Sequence, residues 1–377
     1  MNDTRALKIG FIGGGLNSAI GITHKIAAQM DDNFVLEAGC FSRHDTFNLQ
    51  TAHKWAVPRV YDSYSELIVS EKETLDAVTL LTPTNMHTEI ILELLENNIP
   101  TICEKTLTDS VGDATKIKTS LEANGGFLIT TYNYTGYPMI RELEDMISRG
   151  VLGDIIQVNV RMPQESFIRL DKDGNIPQPQ SWRLRDGGIS TLTLDLGTHL
   201  TNLISFLTKA RAQEVVAMKN SFGHYDVTDN MICMIRYSNN IDCQMWYSKS
   251  ALGHKNGLEV EIYGTEGSAS WYQMNPEFLA YNDNRGRNII LDRSSKGVNI
   301  ANLERYTRFK SGHPAGFIEA FANYYDDVYD TLLAYKTKGV NDLGRYCFGM
   351  DDSLHGLMVA EAIERSVRHG GWEQIDA

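Results

Sequence analysis

Two short segments of the chain carry polar side chains of the kinds that move protons and stabilise charge. In the first, written ICEKTLTD, Glu104 and Lys105 follow a short apolar run. In the second, written TLDLGTHLTNLISFL, Asp195 precedes His199 by four residues and Asn202 by seven, so a helix would place all three on one face. A histidine exchanges protons near neutral pH, and a lysine stabilises negative charge that develops on oxygen. Together these residue types favour proton transfer at a hydroxyl or carbonyl group.

The second segment also has the apolar pattern of a helix over 194–207. Its hydrophobic residues recur at helical spacing on the face opposite Asp195, and they are Leu196, Leu200, Leu203, Ile204 and Leu207. A lone histidine near an aspartate is more often a surface pair or part of a helix cap, so this pattern by itself does not establish a site.

The elements that would position these residues fall into two groups along the chain. In the first 131 residues, short apolar runs alternate with helical patterns, which favours βαβ units and a parallel sheet. The predicted strands are 7–13, 34–41, 75–82, 100–103 and 126–131, and the predicted helices are 17–30, 44–55, 63–71, 86–97 and 110–123. Right-handed crossovers bring the carboxyl ends of such strands to one edge of the sheet, where ligands bind.

After about residue 151 the predicted strands are longer, and several alternate apolar with polar residues, as in an antiparallel sheet with two unlike faces. They are 154–162, 230–237, 241–248, 258–264 and 267–272, with a hairpin at YSNNID and helical regions over 313–336 and 350–368. The predicted fold class is α/β. A Rossmann dinucleotide-binding domain at 1–131 would precede an α+β domain at 132–377 that contains a large, open, mostly antiparallel sheet.

A glycine-rich turn, GGGLNS, follows the first predicted strand. Gly13 and Gly15 fit the first two positions of the GxGxxG pattern, and the third falls on Ser18, whose small side chain still permits close packing. In a βαβ unit such a turn places backbone N–H groups and a helix start against a pyrophosphate, with Leu16 and Asn17 beside it. The pattern also suits a plain turn, but its place at the start of a βαβ unit favours binding of NAD or NADP.

The end of the second predicted strand bears on the choice between these two cofactors. The acidic residue typical of NAD binding does not follow this strand, since Asp31 and Asp32 precede it. Ser42 and Arg43 follow it instead, and a hydroxyl with a guanidinium can hold the 2′-phosphate of NADP. Arg43 can also be a solvated loop charge or stack on adenine, which suits NAD as well. NADP is therefore favoured, and NAD stays open.

A further segment, TPTNMHTE, begins at the end of the predicted strand 75–82 and would lie at the same edge of the sheet. We expect Thr82, Pro83, Asn85 and His87 to line the cofactor pocket, although a core position at a helix start suits His87 nearly as well.

Composition argues against several other classes of protein. A length of 377 residues suggests two domains, and no apolar run approaches the roughly 18–20 residues of a membrane span. The first residues show no signal-peptide pattern, so we expect a cytoplasmic protein with no membrane partner. With a net charge of −13 and no basic cluster, we expect no nucleic-acid partner. The five cysteines and ten histidines show no metal-ligand spacing, so we expect no metal site and predict buried thiols.

The order of these motifs resembles the glucose–fructose oxidoreductase / inositol dehydrogenase / MocA (Gfo/Idh/MocA) family. The segments that carry the resemblance are IGFIGGG, TPTNMH, EKT and DLGTH, together with NYTGYPMIREL, SWR, GLEVEIYGTEGSASW and GHPAGFIEAFANYY. The resemblance covers most of the chain. It implies a nucleotide-binding domain, a large sheet used to form a homodimer or homotetramer, and reversible oxidation of a hydroxyl of a sugar, polyol or cyclitol with NAD or NADP.

The resemblance also implies roles for individual residues. Lys105 would hydrogen-bond the reacting oxygen, Asp195 would orient the substrate or Lys105, and His199 would be the acid–base group. Glu104 would pair with a backbone or nicotinamide-side group, or would serve only as a partner for Lys105. From their places in the chain, we assign the substrate wall to Tyr134, Trp182 and Arg183.

Two other functions stay open. Some members of this family are NAD-dependent glycoside hydrolases that oxidise their substrate transiently, and a non-catalytic ligand-binding protein could share the fold. One residue departs from the family pattern, since Thr106 stands where the family usually has proline after the lysine. The Lys105–Thr106 bond is therefore expected to be either trans or a cis bond held by its surroundings.

Overall fold

The alternating apolar runs form a six-stranded parallel sheet in the computed structural model, which describes residues 5–339 and 341–376. The strands are β1 (Leu7–Gly13), β2 (Phe34–Cys40), β3 (Arg59–Val60), β4 (Ala77–Leu81), β5 (Thr101–Glu104) and β6 (Leu128–Thr131). Their order is β3-β2-β1-β4-β5-β6 with parallel pairing throughout, which confirms the predicted Rossmann arrangement. The order reverses between β1 and β4, and ligands bind outside the carboxyl ends of strands at such a point.

Five helices connect these strands, and two of them begin where a serine side chain satisfies the backbone. They are α1 (Gly21–Gln29), α2 (Asp45–Trp55), α3 (Tyr64–Glu71), α4 (His87–Glu96) and α5 (Val111–Asn124). The Ser63 hydroxyl accepts from the Glu66 N–H at the start of α3, and Ser110 accepts from the Asp113 N–H at the start of α5. Gly125 ends α5 with a φ of +63°.

The five strands predicted after residue 151 lie in a nine-stranded mixed sheet, together with four strands that the sequence pattern did not predict. Its strands are β7 (Ile155–Pro163), β8 (Ala212–Asn220), β9 (Asn230–Tyr237), β10 (Ile241–Ser248), β11 (Glu259–Gly264), β12 (Gly267–Tyr272), β13 (Leu279–Asp283), β14 (Asn288–Leu291) and β15 (Glu373–Gln374). Those that were not predicted are β8, β13, β14 and β15. Their order is β14-β13-β12-β11-β7-β10-β9-β8-β15. Only β7 and β10 pair in parallel among these strands, which confirms the predicted mostly antiparallel sheet. The predicted hairpin joins β9 to β10, with Asn239 and Asn240 at φ of +63° and +57°.

The remaining helices are α6 (Pro138–Ser148), α7 (Thr198–Thr208), α8 (Phe317–Lys338) and α9 (Met350–His369). The sequence pattern did not predict α6, because this helix buries charged side chains that interrupt an apolar face. Arg141 is fully buried and donates to the Tyr306 hydroxyl at 2.6 Å. Glu142 is also buried and accepts from the backbone N–H of Ile300 at 2.7 Å.

Contacts between Cα atoms group α8 with the parallel sheet. A first unit comprises the residues up to Gly136 together with Phe317–Leu354, and a second comprises Tyr137–Gly316 and the residues from His355 onward. Within the first unit, α8 lies against α1. The predicted domains, 1–131 and 132–377, remain a prediction, since packing alone does not test which segments fold or act independently.

The five cysteines are free and buried, as predicted. No helix in the described ranges is long and apolar enough to cross a bilayer. Within the same ranges, no group of three or more histidine, cysteine or acidic side chains is arranged to hold a metal ion.

A half-buried histidine of the second unit predicts how stability responds to acid. The Nε2 atom of His355 lies 3.2 Å from the backbone N–H of Ala212, and burial, with a contribution from the charge of Arg211, lowers the pKa of His355 to about 4. Unfolded His355 titrates near pH 6.5, so between pH 6.5 and 4 the unfolded chain binds a proton that the folded chain does not. Stability should therefore fall as pH falls through this window.

We predict that His355→Gln, which keeps an acceptor for Ala212 but does not ionise, loses less stability than the wild type between pH 7 and 4.5. The difference should be about 1–2 kcal/mol, measured as the shift in thermal midpoint against pH. Parallel pH profiles for the two proteins would show that His355 does not contribute.

Candidate active site

The glycine turn passes close against the end of β4. Gly13 and Gly14 have φ of +81° and +74°, a conformation that residues with a Cβ rarely adopt. A Cβ on Gly13 would also lie 2.8 Å from the backbone of Leu81 and Thr82. Only glycine therefore fits at the crossing of the turn with β4.

A fourth glycine, which the sequence pattern missed, brings the next helix against this turn. A Cβ on Gly21 would lie 1.6 Å from the carbonyl oxygen of Gly14, so the start of α1 touches the turn directly. Ser18, expected to permit this approach, instead accepts from the backbone N–H of Ile20 and Gly21 at 3.3 and 3.4 Å. Gly21 takes the helix-packing role of the third glycine. The glycine is visible in GGGLNSAIG, three residues beyond the usual spacing.

The predicted adenosine-side residues lie at the ends of the turn and of β2. Leu16 and Asn17 are exposed in the turn, and the Leu16 N–H donates to the Thr51 hydroxyl at 3.2 Å. Ser42 is half-buried and accepts from the His44 N–H at 3.1 Å, and Arg43 is exposed.

The segment after β4 combines exposed and buried residues. Pro83 and Asn85 are exposed, and Thr82 is half-buried. The hydroxyl oxygen of Thr82 is buried and has no hydrogen-bond partner among the residues that the structure describes. A buried hydroxyl without a partner is costly, so Thr82 offers a polar contact for a bound group.

His87 contacts the backbone of two loops. It is buried, with Nε2 at 2.8 Å from the Thr82 carbonyl and Nδ1 at 3.1 and 3.2 Å from the carbonyls of Thr106 and Leu107. Burial lowers the pKa of His87, so the ring is neutral and donates one N–H to these carbonyls. The structure thus places His87 in the core position that the sequence left open, where it joins the Thr82 loop to the loop after Lys105. Contact with a cofactor remains a prediction.

Glu104 and Lys105 stand at the carboxyl end of β5. Glu104 lies opposite Thr131 of β6, and its Oε2 accepts from the Thr131 hydroxyl and from the His24 Nε2 at 3.0 Å. Two partners of this carboxylate are therefore side chains of its own unit, and its pairing with a backbone or nicotinamide-side group, or with Lys105, remains a prediction. Lys105 is half-buried, and the Lys105–Thr106 bond is cis.

The first unit fits a dinucleotide. The turn contains glycines at positions where a Cβ would clash with neighbouring atoms. A helix starts directly behind this turn, and the strand order reverses beside it. The Thr82 hydroxyl, which has no hydrogen-bond partner within the described part of the chain, lies at the same edge. These features are what a pyrophosphate and a nicotinamide riboside require of a protein surface.

In the second unit, a carboxylate is held by two cations. Asp195 lies in a π-helical turn, Thr193–Gly197, which directly precedes α7. Its Oδ2 is 2.5 Å from Nη1 of Arg183 and 2.7 Å from Nζ of Lys249. We call these three residues the Asp195 cluster. Both ion pairs use the same oxygen, so Oδ1 takes no part in them.

Lys249 is a member of the cluster that the sequence did not reveal. Its side chain is 3% exposed, lies over the Phe167 ring at 5.0 Å, and follows β10 directly. A buried ammonium needs a paired charge, and Asp195 provides it. The only sequence signal was a lysine placed directly after an apolar strand.

The predicted helix over 194–207 is present, but its first turn is π. The predicted apolar residues are all buried, namely Leu196, Leu200, Leu203, Ile204 and Leu207. His199 and Asn202 are also buried, at 8% exposure each. A Cβ on Gly197 would lie 3.1 Å from the Tyr247 ring, so the glycine of DLGTH lets that ring approach the helix. The π turn holds Asp195 differently from the regular i, i+4 geometry that the pattern assumed.

The predicted substrate-wall residues lie in different surroundings. In the first unit, Tyr134 is buried, with its ring 6.4 Å from that of Phe317. In the second unit, Trp182 is 40% exposed and the Arg183 guanidinium lies 4.3 Å from the centre of its ring. Trp182 and Arg183 therefore form a stacked pair beside Asp195, and their contact with substrate remains a prediction.

Comparison with known proteins agrees with this geometry. The family model described as "Oxidoreductase family, NAD-binding Rossmann fold" matches residues 7–132, and the model described as "GFO/IDH/MocA C-terminal domain" matches residues 140–270. An oxidoreductase from Sinorhizobium meliloti of known structure is 30% identical, with a TM-score of 0.84 over 98% of this chain and 99% of that chain.

Two further relatives span nearly the whole chain. An inositol dehydrogenase homolog from Azotobacter vinelandii, complexed with NADH and myo-inositol, is 25% identical with a TM-score of 0.89, covering 98% of each chain. An uncharacterized oxidoreductase of Bacillus subtilis (strain 168), YfiI, is 28% identical over 97% of this chain and 96% of its own.

The fold and the matched models define an NAD-binding Rossmann oxidoreductase. More specifically, the chain belongs to the Gfo/Idh/MocA family in both its N-terminal and its C-terminal parts.

The contact between Gly21 and the glycine turn should control cofactor binding. We predict that Gly21→Ala weakens NADH binding at least about 10-fold, because the new Cβ must push the turn or the helix start out of place. Fluorescence titration with NADH measures this effect. Gly112→Ala is the matched control, since Gly112 lies in α5 of the same unit and a Cβ there meets nothing within 4 Å. Equal affinity in the two variants would contradict the prediction.

Proposed function

We propose that this oxidoreductase is an NAD(P)-dependent dehydrogenase that oxidises a secondary hydroxyl of a sugar or cyclitol, or reduces the corresponding ketone. The observation that carries the proposal is the Asp195 cluster, a carboxylate fixed by two cations at the start of the helix that bears His199. The inositol dehydrogenase homolog complexed with NADH and myo-inositol supports the class of substrate.

Residues of the first unit would hold the cofactor. Gly13, Gly15, Leu16 and Asn17 would contact the pyrophosphate, and Ser42 with Arg43 would contact the adenosine end. Thr82, Pro83, Asn85, Glu104 and Lys105 would lie on the nicotinamide side. His87 would position these residues through the two loops that it joins. When bound, the nicotinamide supplies the hydride acceptor.

The reaction needs one proton and one hydride to leave the substrate. We assign His199 as the base that takes the proton of the substrate hydroxyl while a hydride leaves the carbon that bears this hydroxyl. In the reverse direction, His199 is the acid. Lys105 donates a hydrogen bond to the reacting oxygen and stabilises the negative charge that develops there. The C–H and O–H bonds break, a carbonyl forms, and the proton stays on His199.

Asp195 is assigned an orienting role. Arg183 and Lys249 both donate to Oδ2, and charge-assisted hydrogen bonds of this kind fix the plane of a carboxylate. A carboxylate held in this way can accept hydrogen bonds from substrate hydroxyl groups. Tyr134, Trp182 and Arg183 are assigned to the substrate wall.

NADP is favoured over NAD by Ser42 and Arg43. Arg43 is exposed at the end of β2, where the ribose 2′ position of a dinucleotide lies in this fold. The proposal requires a higher kcat/KM with NADP than with NAD, and the reverse order would contradict it.

Substitutions in the assigned residues test the function. We predict that Lys105→Met and His199→Ala each lower kcat/KM at least about 100-fold with the best substrate of a sugar and cyclitol panel, because each removes charge or proton transfer from the reaction. Lys249→Met should cost about 10-fold, since Lys249 acts through Asp195. Reduction of NAD(P)⁺ measured at 340 nm gives these values.

Lys116→Met is the control for these variants, because Lys116 is 67% exposed and pairs with Asp113 on its own helix. Full turnover in the Lys105 and His199 variants would contradict the site assignment. Release of a glycoside without net reduction of cofactor would instead favour the hydrolase, and binding of a sugar without either reaction would favour a non-catalytic protein.

We also propose that two or four copies associate through the nine-stranded sheet. On its open face, Met218, Ile232 and Met234 are 56, 43 and 51% exposed, and Met218 lies directly opposite Ile232 across the β8–β9 pair. Adjacent exposed apolar residues on a sheet typically mark a protein interface.

The sheet face predicts the oligomeric state. We expect a dimer or tetramer in the wild type and a shift toward monomer in Ile232→Lys, because a charge in the centre of the patch opposes its burial. Sedimentation velocity at micromolar protein measures this shift. Leu252→Lys is the control, since Leu252 is 64% exposed outside the strands. A monomeric wild type would contradict the proposal.

A further inference from the structure

A buried histidine of the first unit joins three elements near Lys105. His24 of α1 is fully buried, with Nε2 at 3.0 Å from Oε2 of Glu104 and Nδ1 at 2.7 Å from the hydroxyl of Tyr325 on α8. The Thr131 hydroxyl donates to the same Glu104 oxygen. We call these four residues the His24 network.

The chemistry of the partners sets the direction of each hydrogen bond. A carboxylate can only accept, so the His24 Nε2 carries the hydrogen that points at Glu104. Burial raises the pKa of Tyr325, so its hydroxyl keeps its proton and can donate to Nδ1. A hydrogen on Nε2 and an acceptor lone pair on Nδ1 therefore satisfy both contacts.

Packing leaves the ring little room to turn. The His24 ring meets the Phe321 and Tyr325 rings edge-on, with centroids 4.7 and 5.8 Å away. Both aromatic residues belong to α8. The α8 rings thus help to hold the His24 ring, and with it the Nε2 donor, in place.

The network links the helix behind the glycine turn to the end of β5. His24 lies three residues after Gly21, the glycine that touches the turn, and Glu104 is the last residue of β5, directly before Lys105. A shift of the Glu104 side chain would be passed to Lys105 through one peptide unit. A shift of α1 would be passed to Glu104 through His24.

We propose that His24 is a positioning residue whose Nε2–H holds the Glu104 carboxylate and thereby places Lys105 for the reaction. This inference rests on the proposed function of Lys105. It assigns the α1 histidine a task that packing alone does not require, since an apolar side chain could fill the same space.

Two substitutions separate the hydrogen bond from the packing. His24→Gln can place an amide N–H where Nε2 stands, and His24→Asn can place an amide only where Nδ1 stands, facing Tyr325. We expect His24→Asn to lower kcat about 10- to 100-fold, the usual effect of losing a hydrogen bond to a charged group. We expect His24→Gln to stay within about 3-fold of the wild type, and NADH affinity to change less than about 3-fold in both.

Equal losses of kcat in the two variants would overturn the proposal, as would a loss of NADH affinity as large as the loss of kcat. If the loss of kcat in the two variants parallels their loss of thermal midpoint, His24 contributes through packing alone, and the proposal is likewise overturned.

A readout that does not need turnover separates this proposal from the proposed function. Hydrogen–deuterium exchange of the peptide over 102–107 should be faster in His24→Asn than in His24→Gln if the network holds the end of β5. Equal exchange in the two variants would overturn the network. Full activity of Lys105→Met would contradict the role proposed for Lys105. The exchange result would still decide whether the His24 network holds the end of β5.

Discussion

The close contact between Gly21 and the carbonyl of Gly14 is the constraint on which the first unit depends. It lets α1 start directly behind the glycine turn, because no side chain separates helix from turn at that point. The same helix carries His24, which reaches Glu104 at the end of β5. One missing Cβ thus aligns the turn that receives a pyrophosphate with the strand end that presents Lys105.

In the second unit, the main constraint is that a carboxylate lies within a largely buried segment. This carboxylate, Asp195, pairs with Arg183 and with the buried Lys249. The π turn around Asp195 and the glycine that admits the Tyr247 ring set the entry of the chain into α7. The motif DLGTH therefore allows close packing at Gly197 and also supplies the polar groups of Asp195 and His199.

Much of this could be predicted from the sequence, and the exceptions have physical causes. Regular apolar periods revealed five of the six parallel strands, the hairpin at Asn239 and the buried stripe of α7, since each is a local pattern. The two-residue strand β3 is too short to show such a period. The helix α6 was missed because it buries Arg141 and Glu142, whose partners lie more than 150 residues away. The roles of Lys249 and His24 were missed for the same reason, because their partners are distant in the sequence and no local pattern indicates them.

The place of α8 has a consequence for synthesis on the ribosome. The segment up to Gly136 contains every strand of the parallel sheet, yet the rings of Phe321 and Tyr325 that cover His24 are made some 180 residues later. Until then the surface that α1 gives to α8 is uncovered, and a nascent chain in that state is open to association with other hydrophobic surfaces. The long sequence separation also makes this docking slow compared with local helix formation. The nucleotide-binding unit is thus the first to begin folding, and it cannot be complete until most of the other unit has been translated.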